Sequence, residues 1–154
     1  MKYQKIEYKL VRETNPDYNR KAIESSRDIF EFFTDLQDAT KEKLFAICLT
    51  QSNEIACIDL ISIGTNNTSL SDPKEIIKAA ILTNASSLVM VHNHPSGDPK
   101  PSDADTIITN NMIKACEIFH IKLLDHIIIG NGKYFSYGDA GLIGEHGKNK
   151  AIFS

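Results

Sequence analysis

Apolar residues recur at helical spacing in the stretch SRDIFEFFTDL. Ser25 or Ser26 provides a hydroxyl that can cap a helix, Asp28 lies early in the first turn, and apolar side chains follow at 29, 32, 33 and 36. The pattern predicts a helix that ends near Asp38. Upstream, KYQKIEYKLV alternates apolar and polar residues, which predicts an edge strand followed by a turn at TNPDYN.

Two apolar, β-branched runs come next, LFAICLT at 44–50 and EIACIDLISIG at 54–64, separated by QSN. Such runs on either side of a short polar break are typical of an antiparallel hairpin, and we expect both strands to be largely buried. The stretch SDPKEIIKAAILTNA then predicts a helix. Asp72 can cap it, Pro73 suits the first helical position, and apolar residues at 76, 77, 80 and 81 form one face.

The second half of the chain continues with a short apolar strand, SSLVMVH, and a loop rich in proline. A helix is predicted from Ser102 through Cys116 to about Phe119, because apolar residues from Ile107 onward recur at helical spacing. IKLLDHIIIG then predicts a long strand, and GKYFSYGDAG predicts its hairpin partner, ending in glycine turns. The last residues, GEHGKNKAIFS, are expected to form a loosely held tail.

Strands and helices interleave, but several neighbouring strands are joined by short hairpins. This organisation favours an α/β fold with a mixed, largely antiparallel sheet flanked by helices in a three-layer arrangement. It argues against a doubly wound parallel sheet. A chain of 154 residues with 42% hydrophobic residues has the size and composition of one ordinary domain. We therefore expect a single domain over residues 1–154.

Charge and composition narrow the possible partners. The formal net charge is −3 and the basic residues form no long stripe, so direct nucleic-acid binding is not favoured. The chain shows no signal-peptide pattern at its start and no run near the roughly 20 apolar residues of a membrane helix, so we expect a cytoplasmic protein without membrane contact. Three widely spaced cysteines are too few for a disulfide framework and are expected to be buried thiols.

The candidate chemistry is concentrated in VHNHPSGDPKPSDAD, residues 91–105, at the end of an apolar strand. His92 and His94 are two residues apart, and side chains at that spacing in a strand point to the same face. Pro95 restricts His94 to extended conformations. Two imidazoles can therefore reach one point, although a pair of histidines can also be no more than polar residues at a strand end.

Ser102 and Asp105 follow at the start of the predicted helix. Taken alone, Ser-x-x-Asp is a variant capping box, with Asp105 in the first turn where the helix dipole favours negative charge. A loop rich in proline and glycine can fold this helix start back over the strand end. Two histidines and one carboxylate would then form a three-ligand zinc set with an open fourth position, the pattern of catalytic rather than structural zinc sites.

The same residues carry a resemblance to a known family. HNHPSGDPKPSDAD resembles the His-x-His, seven-residue gap, Ser-x-x-Asp motif of the JAB/MPN (JAMM) metalloprotease superfamily, and NASSLVMVHNHPSGDPKPSDADTIIT with IKLLDHIIIG and YFSYGDAG is similar to its RadC-type branch. The similarity runs from about Glu42 to Gly141. It implies a curved mixed sheet with packed helices, in a cytidine-deaminase-like three-layer arrangement, and a zinc ion (Zn²⁺) held by His92, His94 and Asp105.

The resemblance also implies two catalytic residues that residue chemistry alone does not single out. Glu42 would be the general base, a role for which Glu31, Glu54 and Glu75 otherwise compete. Ser102 would donate a hydrogen bond to the attacking water or to the developing oxyanion. Asp125, together with the following histidine at 126, lies inside an apolar strand, which predicts buried, hydrogen-bonded roles.

Three functions remain open from the sequence. The leading hypothesis is a zinc-dependent metallopeptidase that cleaves a peptide or isopeptide bond in a peptide or modified protein. The second is the DNA-repair association traditionally given to RadC-type proteins. The roughly forty residues before the motif region are too short for the helix-hairpin-helix region of longer members, which makes direct DNA binding doubtful. The third is a metal-binding interaction module without turnover.

Overall fold

The computed structural model describes residues 22–64 and 72–144, which form one five-stranded sheet with helices. The predicted N-terminal strand, most of the loop at 66–72 and the tail beyond Gly144 lie outside the described residues. In chain order, the elements are α1 (Ser26–Phe32), a 3₁₀ turn (Thr34–Asp38), β1 (Lys43–Leu49), β2 (Ile55–Ile63), α2 (Pro73–Leu82), β3 (Ser87–Asn93), α3 (Asp103–Ile118), β4 (Lys122–Ile129) and β5 (Tyr134–Ser136).

The strand order in the sheet is β2-β1-β3-β4-β5. β1 pairs antiparallel with both β2 and β3, and β4 pairs antiparallel with β5. The β3 and β4 strands are parallel, with α3 as the connection between them. The predicted mixed, largely antiparallel sheet is confirmed, and the one parallel pair among the described strands lies beside the strand end that carries the histidines.

Strand residues alternate between two apolar clusters, one on each face of the sheet. Even-numbered residues of β3, such as Leu88 and Met90, belong to a cluster that contains α2 and α3, and odd-numbered residues, such as Val89 and Val91, belong to one that contains α1. Helices therefore cover both faces of the sheet, which confirms the three-layer arrangement. β3 is buried along its whole length, as expected for a central strand with helices on both faces.

The helices begin where the sequence predicts, but the first one ends early. Ser25 caps α1 by accepting a hydrogen bond from the Asp28 backbone N–H, and Asp72 caps α2 in the same way from Lys74. α1 stops at Phe32 rather than near Asp38 and continues as the 3₁₀ turn. The Thr34 hydroxyl donates to carbonyl oxygens of the last α-helical turn, which satisfies acceptors that a continuing helix would use.

Membrane insertion finds no support in these helices. The longest described helix, α3, has 16 residues. Within the described residues, none of the helices combines the length and the apolar character that a bilayer span requires.

The expectation that both hairpin strands are largely buried is wrong for β2. Residues of β2 alternate between partly buried and exposed, and the exposed ones include Ile58, Leu60 and Ile63. Within the described residues, β2 is the edge strand of the sheet and pairs on one side only. Its apolar composition is that of a central strand, which is why the sequence pattern misleads here.

Gly97 and Gly130 allow the proline-rich loop to approach the end of β4. The Gly97 carbonyl oxygen accepts a hydrogen bond of 2.9 Å from the Asn131 backbone N–H, and Gly97 itself has a φ of +80°, which favours glycine. A Cβ atom at position 130 would lie 2.5 Å from the Gly97 oxygen and 2.7 Å from Cδ of Pro99. The absence of a side chain at 130 therefore sets the position of the loop that follows His94.

Gly130→Ala is expected to displace this loop, because the added methyl group meets backbone and a rigid ring rather than a flexible side chain. The expected loss in the free energy of unfolding is about 1–3 kcal/mol, measured by chemical denaturation. Amide resonances of residues 94–99 should shift at the same time. Gly132→Ala is the matched control, since no atom lies within 4 Å of a Cβ there and only its positive φ opposes the change. Unchanged loop resonances in Gly130→Ala would show that the contact does not position the loop.

Candidate metal centre

The two predicted histidines lie at the end of β3, on the face covered by α3. His92 continues the even-numbered face of the strand, and His94 extends the same face because its backbone N–H bonds to the Ile129 carbonyl oxygen of β4 at 2.9 Å. The two rings are tilted against each other with centroids 4.9 Å apart. The predicted convergence of the imidazoles is thus present in the structure.

The third predicted ligand, Asp105, comes from the first turn of α3. Ser102 and Asp105 form the predicted capping box: the Asp105 N–H donates to Oγ of Ser102 at 3.2 Å, and the Ser102 N–H donates to Oδ2 of Asp105 at 2.7 Å. The Ser102 hydroxyl also donates to Oδ2 at 2.7 Å. These bonds fix the orientation of the carboxylate, so that Oδ1 faces His92 and Oδ2 faces His94.

The three side chains form one compact cluster. Nε2 of His92 lies 3.0 Å from Nε2 of His94 and 3.1 Å from Oδ1 of Asp105, and Nε2 of His94 lies 3.3 Å from Oδ2 of Asp105. Ligand atoms held about 2.0–2.1 Å from a tetrahedral zinc ion lie about 3.3 Å apart. The spacing of the cluster therefore suits a small divalent metal ion.

The hydrogen-bond partner of His94 supports the same conclusion. Nδ1 of His94 lies 2.9 Å from the carbonyl oxygen of Asp98. A carbonyl oxygen can only accept, so Nδ1 carries the hydrogen and Nε2 directs its lone pair into the cluster. It is the main chain of Asp98 that takes part in the site, while its carboxylate is exposed to solvent.

Electrostatics hold Asp105 in its anionic form. Burial opposes ionisation of this carboxyl group, but the neighbouring imidazoles of His92 and His94 and the hydroxyl of Ser102 outweigh burial and keep its pKa well below its usual range. The adjacent Asp105 carboxylate in turn raises the pKa of His94, with a smaller contribution from the charge of Glu42. The cluster thus combines one carboxylate with two imidazoles, the donor set predicted for zinc.

One side of the cluster is open to solvent. The exposed fraction of the side chain is 3% for His92, 11% for Asp105 and 16% for His94. His92 thus forms the buried wall of the site, and His94 is the most exposed of the three side chains. A three-ligand site with an accessible side is the arrangement of a catalytic metal centre.

Glu42 lies just before the neighbouring strand, β1. Leu44 pairs with His92 in the antiparallel β1–β3 register, and Glu42 comes two residues before Leu44. Its carbonyl oxygen accepts a hydrogen bond of 2.7 Å from Gly64. Of the predicted catalytic residues, Ser102 bonds directly to Asp105, whereas Glu42 is connected to the cluster through the effect of its charge on His94.

Asn93 is a site residue that the sequence interpretation missed. Its side chain points to the opposite face from the two histidines, where Oδ1 accepts from the Lys43 N–H at 2.9 Å and Nδ2 donates to the Lys41 carbonyl oxygen at 3.2 Å. These bonds clamp the backbone on both sides of Glu42. A signal was available in the sequence, because an amide side chain at the end of a buried strand requires hydrogen-bond partners.

Asp125 and His126 are both fully buried and hydrogen-bonded, as predicted. Asp125 accepts bonds from the Ser136 hydroxyl at 2.5 Å and from the backbone N–H groups of Gly138 and His126 at 2.8 and 2.7 Å. Burial raises the pKa of Asp125 to about 6 despite these donors. His126 faces the other way, and its Nε2 lies 2.8 Å from Nδ1 of His92.

Comparisons with known proteins place this site in a family. The sequence model described as the RadC-like JAB domain matches residues 23–142, which extends the resemblance upstream of Glu42. The chain is 45% identical over 122 residues to the UPF0758 protein CT0611 of Chlorobaculum tepidum, an alignment that covers 79% of this chain and 55% of that protein.

Two further relatives show comparable coverage. The UPF0758 protein Mbar_A2303 of Methanosarcina barkeri is 36% identical over 132 residues, covering 85% of this chain and 58% of its own length. A UPF0758 protein of Desulforamulus reducens is 47% identical over 109 residues, covering 71% and 48%. The chain therefore spans about half the length of the curated relatives it matches. With a family match over most of its length and with the motif residues assembled in one cluster, this chain belongs to the RadC-like JAB domain family.

Proposed function

We propose that this chain is a zinc-dependent hydrolase of the metallopeptidase type, which cleaves a peptide or isopeptide bond in a peptide or modified-protein substrate. The observation that carries the proposal is the cluster of His92, His94 and Asp105, with one ligand atom from each within 4.8 Å of the others. We place the activity in the cytoplasm, where the free thiols of Cys48, Cys57 and Cys116 would remain reduced.

The chemistry is divided between the metal and the protein. When bound, zinc supplies Lewis acidity, which lowers the pKa of a coordinated water to about 7. Glu42 accepts a proton from the attacking water and returns it to the leaving amine, a role open to a carboxylate whose charge already acts on His94. His92, His94 and Asp105 would hold the metal, and the side of the cluster near His94 would admit the scissile amide.

Ser102 serves the helix and the reaction with different parts of its hydroxyl group. Its oxygen accepts from the Asp105 N–H, which caps α3, while its single hydrogen points to the Asp105 carboxylate. In the reaction this hydrogen is donated to the oxyanion that develops on the attacked carbonyl. Removing one such donor costs about 10²–10³ in rate in other enzymes.

The purified protein is expected to contain one zinc ion per chain, measured by elemental analysis. His94→Ala and Asp105→Ala should lose most of the metal, because each removes one of only three protein ligands. Asp103→Ala is the matched control, since this exposed carboxylate lies in the same helical turn but outside the cluster. Full zinc content in Asp105→Ala would rule out the proposed ligand set.

Glu42→Gln is expected to lower kcat by about 10²–10⁴ while the zinc content stays unchanged, because the amide cannot take up the proton of the attacking water. The assay uses a panel of peptides and isopeptide-linked conjugates. Glu54→Gln, an exposed glutamate just before β2, is the matched control and should retain activity. Equal turnover by Glu42→Gln and the unaltered protein would exclude Glu42 as the base. Zinc binding without hydrolysis of any substrate would instead favour the non-catalytic metal-binding module.

Asn93→Asp is expected to reproduce much of the Glu42→Gln defect. The substituted carboxylate would place an oxygen against the Lys41 carbonyl oxygen, where the amide now donates, so the backbone around Glu42 is released. Zinc content should be retained, and the free energy of unfolding should fall by about 1–3 kcal/mol. Asn110→Asp, on the exposed face of α3, is the control. Normal turnover by Asn93→Asp would show that the clamp does not position the base.

A titration of DNA binding at several salt concentrations distinguishes the DNA-repair association from the hydrolase proposal. The formal net charge of −3 argues against a phosphate-binding surface. Tight DNA binding that weakens steeply with salt would support the repair function in place of the hydrolase.

A further inference from the structure

His126 lies behind His92, on the side away from the cluster, and is fully buried. Its Nε2 is 2.8 Å from Nδ1 of His92, and its Nδ1 is 2.6 Å from Oγ1 of Thr109. Thr109 belongs to α3, one turn after Asp105, and is also buried. A continuous chain of polar atoms therefore connects the buried histidine of the cluster to the helix that carries the carboxylate.

The positions of the hydrogens in this chain follow from Thr109. Oγ1 of Thr109 lies 2.6 Å from the Asp105 carbonyl oxygen as well as 2.6 Å from the His126 ring. A carbonyl oxygen cannot donate, and two oxygens at 2.6 Å without a hydrogen between them would repel each other. The single hydroxyl hydrogen is therefore directed to Asp105. Toward His126, Thr109 can only accept, so Nδ1 of His126 carries the ring hydrogen.

The same reasoning extends to His92. With the hydrogen of a neutral His126 ring on Nδ1, its Nε2 is an acceptor, and the hydrogen between the two rings belongs to Nδ1 of His92. Nε2 of His92 is then left with a lone pair directed at Asp105 and His94, from which it lies 3.1 and 3.0 Å. This is the protonation pattern that a histidine needs to bind a metal through Nε2.

Packing holds the intermediate ring in place. Tyr137 stacks on His126 with ring centroids 5.1 Å apart and an interplanar angle of 7°. The Tyr137 hydroxyl lies 3.1 Å from Oγ1 of Thr106, so this aromatic ring is itself connected to α3. His126 therefore has a fixed plane as well as fixed hydrogen-bond directions.

We propose that His126 is a positioning residue that selects the metal-binding tautomer of His92, and that Thr109 sets the direction of the hydrogen bonds that run from it through His126 to His92. This inference rests on the proposed function, since it requires His92 to be a ligand. Ligand histidines commonly donate their second N–H to a carboxylate, a carbonyl or water. A neutral imidazole in that position adds no negative charge behind the ligand, so the metal retains more of its Lewis acidity.

Thr109→Val and Thr109→Ser test the inference as a pair. Valine has the shape of threonine but lacks the hydroxyl group, so the hydrogen-bond acceptor that fixes the His126 tautomer is lost. Serine retains the hydroxyl group. We expect the affinity for Zn²⁺, measured by competition with a chelator, to fall about 10- to 100-fold in Thr109→Val and to remain near the original value in Thr109→Ser. Equal affinity of Thr109→Val and the unaltered protein would overturn the inference.

A second pair keeps the inference testable if one variant does not fold. His126→Gln can place an amide oxygen where Nε2 now accepts and is expected to retain zinc, whereas His126→Leu removes the acceptor and should bind zinc as weakly as Thr109→Val. Circular dichroism reports whether each variant is folded. Full affinity in a folded His126→Leu would count against the proposed role.

The tautomers can also be observed directly. Long-range proton–nitrogen NMR spectra of the zinc-loaded, unaltered protein should show His92 and His126 both protonated at Nδ1, a signature that a merely structural contact does not require. His126 protonated at Nε2 would overturn the inference. Because these readouts involve no substrate, zinc binding without hydrolysis would overturn only the proposed function. Failure of the unaltered protein to bind zinc would overturn both.

Discussion

Ser102 and Asp105 share three hydrogen bonds at the start of α3, and the candidate site depends on them. The capping box satisfies backbone donors that the first helical turn would otherwise leave unpaired, and the helix dipole favours the negative charge of Asp105 at the same place. The carboxylate is therefore held in a fixed orientation, and its ionised form is favoured. A local requirement of helix capping thus supplies the carboxylate of the candidate metal site.

The central strand β3 completes the site because its two faces perform different tasks. His92 and His94 point toward α3 and provide two imidazoles, while Asn93 between them points toward the opposite face and holds the backbone of Glu42. The site lies at the carboxyl ends of β3 and β4, the one parallel pair of the sheet. Ligand sites of α/β sheets commonly occur outside the carboxyl ends of parallel strands, because the connecting helix begins there.

The buried polar residues around the site form hydrogen-bonded chains rather than isolated contacts. His126 and Thr109 connect His92 to the main chain of Asp105, and Asp125 on the opposite face connects β4 to the turn after β5. Leaving any one of these groups without a partner would cost about 1–3 kcal/mol. The arrangement thus couples the geometry of the candidate metal ligands to the packing of α3 against the sheet.

Periodicity and capping signals in the sequence were sufficient for the helix starts, the β1–β2 hairpin and the burial of Asp125 and His126, because each depends on neighbouring residues. The shared face of His92 and His94 also followed from strand alternation alone. Tertiary structure decided what depends on contacts distant along the chain. It made β2 an edge strand despite its apolar composition, and it placed Asn93 against residues 39–43. It also brought His126 behind His92 across 34 positions. Local patterns specify which way a side chain points, whereas the partner it meets is set by how strands and helices pack.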